Sequence, residues 1–190
     1  MRHIVSTFVA SLIMLVSDTG LLRAQDVSIS EIEAGFLKNV RQLTSSFVKA
    51  GEGYFSPDGK RIVYQAITKD YPFYQIYIQS LEGGRPRLVS TGRGRTTCSY
   101  FTVDGKNILF ASSHLDPEMT TTEEAEIKQQ EEDRKNGVRR RYSWPFDPHT
   151  EMFVATPKGR IIKRLTKAEG YDAEGAYSVS YTHLTLPTKA

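Results

Sequence analysis

The sequence predicts an all-β fold built from repeated four-stranded antiparallel sheets. Three observations predict it: an internal repeat, a tight-turn motif inside each repeat, and a composition that favours strands. The chain has 190 residues, among them ten Tyr, nine Phe and 14 Gly, and aromatic side chains suit the pleated surface of a sheet. A hydrophobic fraction of 39% and a charged fraction of 25% are those of a globular protein, not a disordered one.

The repeat is visible as two segments that lie 46 residues apart. Tyr54–Tyr64 (YFSPDGKRIVY) returns as Tyr100–Phe110 (YFTVDGKNILF). A second shared element is a strand-like stretch followed by an Arg-Leu stretch, present as Gln75–Ile78 with Arg87–Ser90 and again as Glu151–Val154 with Arg164–Thr166. Because a fixed period of this length is the mark of a repeat architecture, the two copies are expected to form two equivalent structural units.

Each unit carries the signals of four short strands. A strand that ends in two aromatic residues precedes Ser56–Gly59, a tight turn in which Pro fixes φ and Gly takes the left-handed conformation. The apolar run Ile62–Tyr64 predicts a buried second strand, the alternation over Ile76–Leu81 predicts a third strand with two faces, and Arg87–Ser90 predicts a more polar fourth strand after a turn at Gly83 and Gly84. Four antiparallel strands in a unit of this size form the blade of a β-propeller, so the sequence predicts a β-propeller fragment of about two blades.

This ordered series of elements resembles the WD40-like (PD40) repeats of the TolB-like propellers. The resemblance rests on the Ser-Pro-Asp-Gly-Lys turn, the Gln-Ile-Tyr strand, the Leu-Glu-Gly-Gly turn and the Arg-Leu strand, and it covers residues 36–178. It implies a ring of about six blades in which the first strand of the chain completes the last blade. Residues 40–44 are the predicted closing strand, and the chain is expected to be a truncated propeller.

The two ends of the chain lie outside the predicted propeller. Residues 1–24 have the pattern of a secretory signal peptide, with the apolar run Ile4–Val16 and a small residue at the cleavage position. Because this run is short for a membrane span, export is favoured over an uncleaved membrane anchor. Residues 25–35 are a predicted linker. Residues 179–190 interrupt a third copy of the repeat and resemble translated sequencing adapter, so a non-native tail is favoured over a divergent native terminus.

The second unit differs from the first by an insertion, residues 114–150. Thr120–Glu124 predicts the start of a helix, Ala125–Lys135 predicts its body, which we expect to be solvated and mobile, and Asn136-Gly137 predicts its end. The helix is followed by arginines and aromatic residues of the kind that protein interfaces favour. We predict six partner-binding residues: Arg139, Arg140, Arg141, Tyr142, Trp144 and Phe146. The alternative is that Trp144 and Phe146 pin the loop to the propeller while the arginines pair with acids of the helix.

Motifs of catalysis and cofactor binding are absent from the sequence. It holds no G-x-S-x-G, H-E-x-x-H or C-x-x-C motif and no phosphate-binding loop of recognised form. We therefore predict no catalytic residue, no cofactor and no metal site. Three neighbours (His114, Asp116 and Glu118) and the pair Asp147 and His149 are weak metal signals on their own. A single cysteine, Cys98, excludes an internal disulfide and is interpreted as a packed thiol.

The function expected from these patterns is protein binding in the bacterial envelope. A net charge of +3 is too small to indicate a nucleic acid or a membrane surface as partner. The resemblance implies a periplasmic or secreted scaffold that binds another protein and has no transmembrane span after signal cleavage. The alternative is the N-terminal propeller of a truncated exported peptidase, either a prolyl oligopeptidase-like serine hydrolase or a metallopeptidase. A catalytic motif downstream of the repeats would distinguish the two.

Overall fold

The computed structural model describes residues 29–141, 143–178 and 184–185. The predicted signal peptide lies outside these residues, and only two residues of the predicted non-native tail lie within them. The chain divides into two compact units, residues 1–41 and residues 42–190. The first unit contains helix α1 (Ile29–Phe36), which occupies most of the segment predicted as a linker. Every sheet that the structure describes lies in the second unit.

Two four-stranded antiparallel sheets make up most of the second unit, and both are simple meanders. The first sheet consists of β1 (Lys49–Phe55), β2 (Arg61–Ile67), β3 (Gln75–Ser80) and β4 (Gly83–Leu88). The second sheet consists of β5 (Thr96–Phe101), β6 (Ile108–Ser112), β7 (Glu151–Ala155) and β8 (Ile161–Arg164). The predicted pair of four-stranded units is therefore confirmed. Two short strands, β9 (Ala176–Tyr177) and β10 (Leu184–Thr185), pair with each other.

The turn between the first two strands is the same in both sheets. The Ser56 hydroxyl donates to the Asp58 carboxylate at 2.5 Å, and the Thr102 hydroxyl donates to the Asp104 carboxylate at 2.6 Å. Each carboxylate also accepts the backbone N–H two residues further on. Because these bonds are local, the turn forms with Val103 in the second copy as it does with Pro in the first.

Residues 40–44 form no strand in the structure. Their role as a closing strand stays a prediction, because a strand needs a neighbour to bond and the blade that they would complete is not among the described residues. The predicted start of the fourth strand is wrong. The fourth strand of the first sheet begins at Gly83, not at Arg87. Ser80 pairs with Gly83 across a two-residue loop, and Gly83 and Gly84 enter the strand with φ of 114° and 99°. This glycine pair therefore belongs to the strand as well as to the turn.

The second sheet takes part in two hydrophobic cores, one on each face, whereas the first sheet takes part in one of them. One core lies between the two sheets and contains nine buried residues: Val63, Ile76, Ile78, Val89, Phe101, Ile108, Phe110, Phe153 and Ala155. A second core covers the opposite face of the second sheet, where Leu109, Ala111 and Met152 pack against the segment around Ala173. All seven residues of β1 are exposed.

The insertion of the second unit contains helix α2 (Met119–Asn136), as predicted. The helix begins before the predicted Thr120–Glu124 start, and its N-cap, Glu118, makes no side-chain capping bond. Gly137 ends it in the left-handed conformation, which glycine adopts without steric cost. Only Met119 of the helix is buried, so the helix is solvated. Within the described part of the chain, no helix combines the length and the apolar character needed to cross a membrane.

Candidate partner-binding surface

The first turn of α2 is anchored to the loops of the first sheet through one carboxylate. Glu123 accepts a 2.8 Å hydrogen bond from the Arg93 guanidinium, a 3.2 Å bond from the Gly94 N–H and a 2.5 Å bond from the Tyr71 hydroxyl. Arg93 also donates to the Thr120 hydroxyl at 2.8 Å. Burial alone would raise the pKa of Glu123, but these donors hold it below its usual value. The start of the helix is thus fixed in place.

The end of the insertion folds back on the same helix through Arg140. Its guanidinium lies 2.7 Å from the Glu126 carboxylate and 2.6 Å from the Asp133 carboxylate. The hydrogen bond to Glu126 raises the pKa of Arg140 above its ordinary value. Arg140 therefore pairs with acids of the helix, as the alternative interpretation of the sequence predicted.

Trp144 holds the following loop against the body of the unit. Its indole N–H donates to the Tyr171 hydroxyl at 2.7 Å, and its ring lies 6.3 Å from the ring of Tyr74. Burial raises the pKa of Tyr171 to about 12, so its hydroxyl stays protonated. The ring of Phe146 lies 5.8 Å from Tyr171 but keeps 70% of its surface exposed. Trp144 is an internal anchor, and Phe146 is presented to solvent.

Five of the six predicted binding residues therefore separate into two groups. Arg140 and Trp144 make internal contacts that position the segment. Arg139, Arg141 and Phe146 are exposed, and the structure gives neither arginine an ion pair or a hydrogen bond with any residue that it describes. Tyr142 lies outside the described residues. The exposed group joins two positive charges to an aromatic ring at the surface.

A cluster of titratable side chains lies where the two ends of the insertion meet. Asp116 comes from the beginning of the insertion, and Asp147 and His149 come from its end; their ligand atoms lie within 4.8 Å of one another. Closeness to Asp116 in the sequence does not predict which side chains belong to this cluster. His114 and Glu118 remain outside this cluster, and the His114 ring packs 4.4 Å from Phe153, where burial lowers its pKa. The sequence carried only separate weak signals for Asp116 and for the pair Asp147 and His149, and it did not show that two chain segments bring them together.

A strained backbone position recurs in three successive copies of the repeat. Glu52 in β1 and Cys98 in β5 lie in equivalent bulges with φ of 46° and 52°. Glu174, at the same position of the third copy, has φ of 57°. Thr97 donates to Glu52 at 3.2 Å, and burial raises the pKa of the Cys98 thiol. The positive φ therefore recurs in all three copies that the structure describes, and in the first two it coincides with a bulge of the first strand.

Comparison with known proteins finds matches among solved structures. No protein-family model and no curated protein matches this chain. A solved structure from Agrobacterium tumefaciens, provisionally named TolB, is similar with a TM-score of 0.49 and 19% sequence identity. The match covers 73% of this chain and 39% of that one, so this chain spans well under half of that protein. The function proposed below rests on the residues of this chain.

Proposed function

We propose that this chain is part of a TolB-like β-propeller with PD40 repeats that acts as an exported, non-catalytic protein-binding module. Two features support the propeller. Both sheets have the same four-stranded meander, and they share one core in which Val63 and Ile76 of the first sheet lie with Phe110 and Phe153, which belong to the opposite face of the repeat in the second. Such sheets arranged around an axis form a propeller.

Unequal burial of equivalent residues supports a further blade beside β1. Phe101 in β5 is 8% exposed because the first sheet covers it, whereas Phe55, at the same position in β1, is 64% exposed. A large apolar side chain gains stability from being covered. In the complete ring, a blade would cover Phe55 as the first sheet covers Phe101.

The observation that carries the binding function is the anchoring of the insertion. Glu123, Arg140 and Trp144 use internal contacts to fix a segment that presents Arg139, Arg141 and Phe146 at the surface. A segment fixed in this way loses little conformational entropy when a partner binds. Arg139, Arg141 and Phe146 suit a protein surface that combines acidic and apolar groups. Export is supported by the signal-peptide pattern, and the absence of catalytic motifs supports a non-catalytic role.

The test is a site-specific cross-link followed by an affinity measurement. A photoreactive phenylalanine analogue at Phe146 is compared with the same analogue at Lys128, which is exposed on α2, in a bacterial envelope. The protein cross-linked from position 146 is then purified, and its Kd is measured for the full chain and for the variant Arg139→Ala/Arg141→Ala/Phe146→Ala. We expect at least a tenfold weaker Kd, since loss of interface anchors costs more than about 1.4 kcal/mol.

The matched control is Lys128→Ala/Arg134→Ala, which removes two positive charges from α2 and leaves the exposed group intact. Equal cross-linking from positions 128 and 146, or equal losses of affinity in both variants, would contradict the proposal. The peptidase alternative is decided by the gene sequence that follows the Ser178 codon, where a G-x-S-x-G or H-E-x-x-H motif downstream of further repeats would overturn the non-catalytic role.

A further inference from the structure

We infer that Asp116, Asp147 and His149 form a binding site for a divalent ion of the zinc type. Nδ1 of His149 lies 3.3 Å from Oδ1 of Asp116 and 3.8 Å from Oδ1 of Asp147. All three ligand atoms lie within 4.8 Å of one another. Imidazole nitrogen and carboxylate oxygen are both accepted ligands of zinc.

The spacing of the three atoms fits one face of a tetrahedron. Zinc binds nitrogen and oxygen at roughly 2.0–2.2 Å, so its tetrahedral ligands are separated by about 3.3–3.6 Å. The two distances from His149 already lie at or near this range. The third separation, between the two carboxylates, is at most 4.8 Å. An ion lying to one side of the plane of the three atoms therefore requires only small side-chain movements.

The electrostatics of the cluster also favour a cation. The side chains of Asp116 and Asp147 are only 9% and 8% exposed, and two carboxylates held close together repel each other. Arg95 lies 3.6 Å from Oδ2 of Asp147 and compensates one charge. Oδ1 of each aspartate also accepts one backbone N–H, from Glu118 at 2.9 Å and from His149 at 3.0 Å. These donors do not compensate the second charge, which a divalent ion would.

Arg95 orients one ligand of the site and does not take the place of the ion. Its guanidinium lies over the Phe73 ring at 4.2 Å and faces Oδ2 of Asp147, so Oδ1 remains directed toward His149. Carboxylates that bind metals are commonly oriented by a second contact of this kind. Arg95 is therefore a positioning residue for Asp147.

The site has an access path. His149 keeps 48% of its side chain exposed and lines a cleft of about 400 Å³ together with Leu115, Pro148 and Lys167. Three protein ligands leave the fourth tetrahedral position open to water from this cleft. The bound ion would join the start of the insertion to its end, independently of any partner protein.

The test is metal binding by the full chain without an affinity tag, measured with Co²⁺ and Zn²⁺ alone. We expect one Co²⁺ per chain with the visible absorption of a tetrahedral complex, displaced by Zn²⁺. His149→Gln and Asp116→Asn are expected to weaken binding by more than tenfold. The matched control is Glu118→Gln, which removes a carboxylate two residues from Asp116 but outside the cluster, and it should bind as the unmodified chain does.

The other variants could fold poorly, so a further variant replaces one metal-binding group by another. It keeps the metal-binding test decisive. In His149→Cys, the bound Co²⁺ should acquire the intense charge-transfer absorption of a cobalt–thiolate bond, which the single buried Cys98 of the unmodified chain should not give. Absence of that band would overturn the site. Absence of Co²⁺ binding by the unmodified chain would also overturn it, and would leave His149 as an ion-pair partner of the two aspartates. Equal affinity in His149→Gln and Glu118→Gln would have the same meaning.

Discussion

The first and second sheets are copies of one repeat, but their equivalent faces have different surroundings. Phe110 and Phe153 of the second sheet are buried against the first sheet. Their equivalents, Tyr64 and Tyr77, lie on the other face of the first sheet, which no described sheet covers, and the ring of Phe47 packs against them at 5.8 Å and 4.7 Å. The same backbone therefore carries phenylalanine between the sheets and tyrosine on this face (the open face), where Phe47 and the neighbouring chain still leave only 1% of Tyr64 exposed.

The polar groups of the open face are paired with each other. The Tyr64 hydroxyl donates to the Gln79 side chain at 2.9 Å, and the equivalent of Gln79 in the second sheet is Ala155, which is fully buried. Burial raises the pKa of Tyr64 to about 12, so the hydroxyl remains a donor at all ordinary pH values. The comparison teaches that the repeat fixes the backbone, while the neighbouring surface determines the polarity of each face.

The largest difference between the sheets is expected in the free energy of unfolding, when each of two equivalent phenylalanines is replaced by alanine. Phe101→Ala should lower the free energy of unfolding by about 3–5 kcal/mol, because it leaves a cavity between the sheets. Phe55→Ala, at the equivalent exposed position, should change it by no more than about 0.5 kcal/mol. Denaturant unfolding of the full chain measures both. Similar losses in the two variants would show that the sheets are not packed as described.

The reciprocal exchange of phenylalanine and tyrosine should have unequal effects. Phe110→Tyr introduces a hydroxyl into the dry interface without a partner and should cost about 1–3 kcal/mol. Tyr64→Phe removes one hydrogen bond to Gln79 and should cost about 1 kcal/mol. The same unfolding experiment tests the pair, and a neutral Phe110→Tyr would mean that water reaches the interface.

A smaller effect is expected from the side chain that links the two sheets. The guanidinium of Arg61 lies 5.2 Å from the centre of the Phe101 ring and donates to the Gly105 carbonyl at 3.1 Å. Arg61→Met should therefore lower stability by about 1–2 kcal/mol. Lys60→Met, the neighbouring exposed position, is the control and should stay within about 0.5 kcal/mol. Equal losses of stability in the two variants would mean that the change in net charge causes the loss, not the contact of Arg61 with Phe101 and Gly105.

The smallest effect is expected in the turns. The pKa values of their aspartates should not depend on the surroundings of the sheets. The hydroxyl of Ser56 lowers the pKa of Asp58 below 3.8, and that of Thr102 does the same for Asp104. A carboxylate with a lowered pKa stabilises the fold above its unfolded value of 3.8, and this contribution is lost as the pH falls through the folded value. Carboxyl NMR titration should find both pKa values lowered. Ser56→Ala should raise that of Asp58 alone, and a change at Asp104 would contradict the local origin.

The sequence is sufficient for features whose causes are local. The turn at Ser56–Gly59, the buried run at Ile62–Tyr64 and the end of α2 at Gly137 depend on residues close in the chain, and all three were predicted. The start of β4 was not, because a glycine pair suggests a turn even when positive φ values are accommodated at the first residues of a strand. The predicted closing strand at residues 40–44 stays a prediction, because the segment with which it would pair is not among the described residues.

The site is less predictable because its contacts join distant segments. The arginine-rich run does not reveal that Arg140 pairs with α2 while Arg139 and Arg141 remain exposed. Nor does the sequence show that Asp116 meets Asp147 and His149, since the two ends of the insertion come together only in the folded chain. Composition identified the segment that we propose binds a partner. Only the structure shows which of its residues make internal contacts and which are exposed.

The most direct test of the unequal environment of the two sheets is native-state hydrogen exchange of β1 and β5. These strands occupy the same position of the repeat and pair in the same way with β2 and β6. We expect the bonded amides of β5 to exchange only by global unfolding, and those of β1 to exchange at least about tenfold faster by local opening, because β1 is exposed along its whole length. Equal protection of the two strands would contradict the account, since a strand as well protected as β5 must be covered as β5 is.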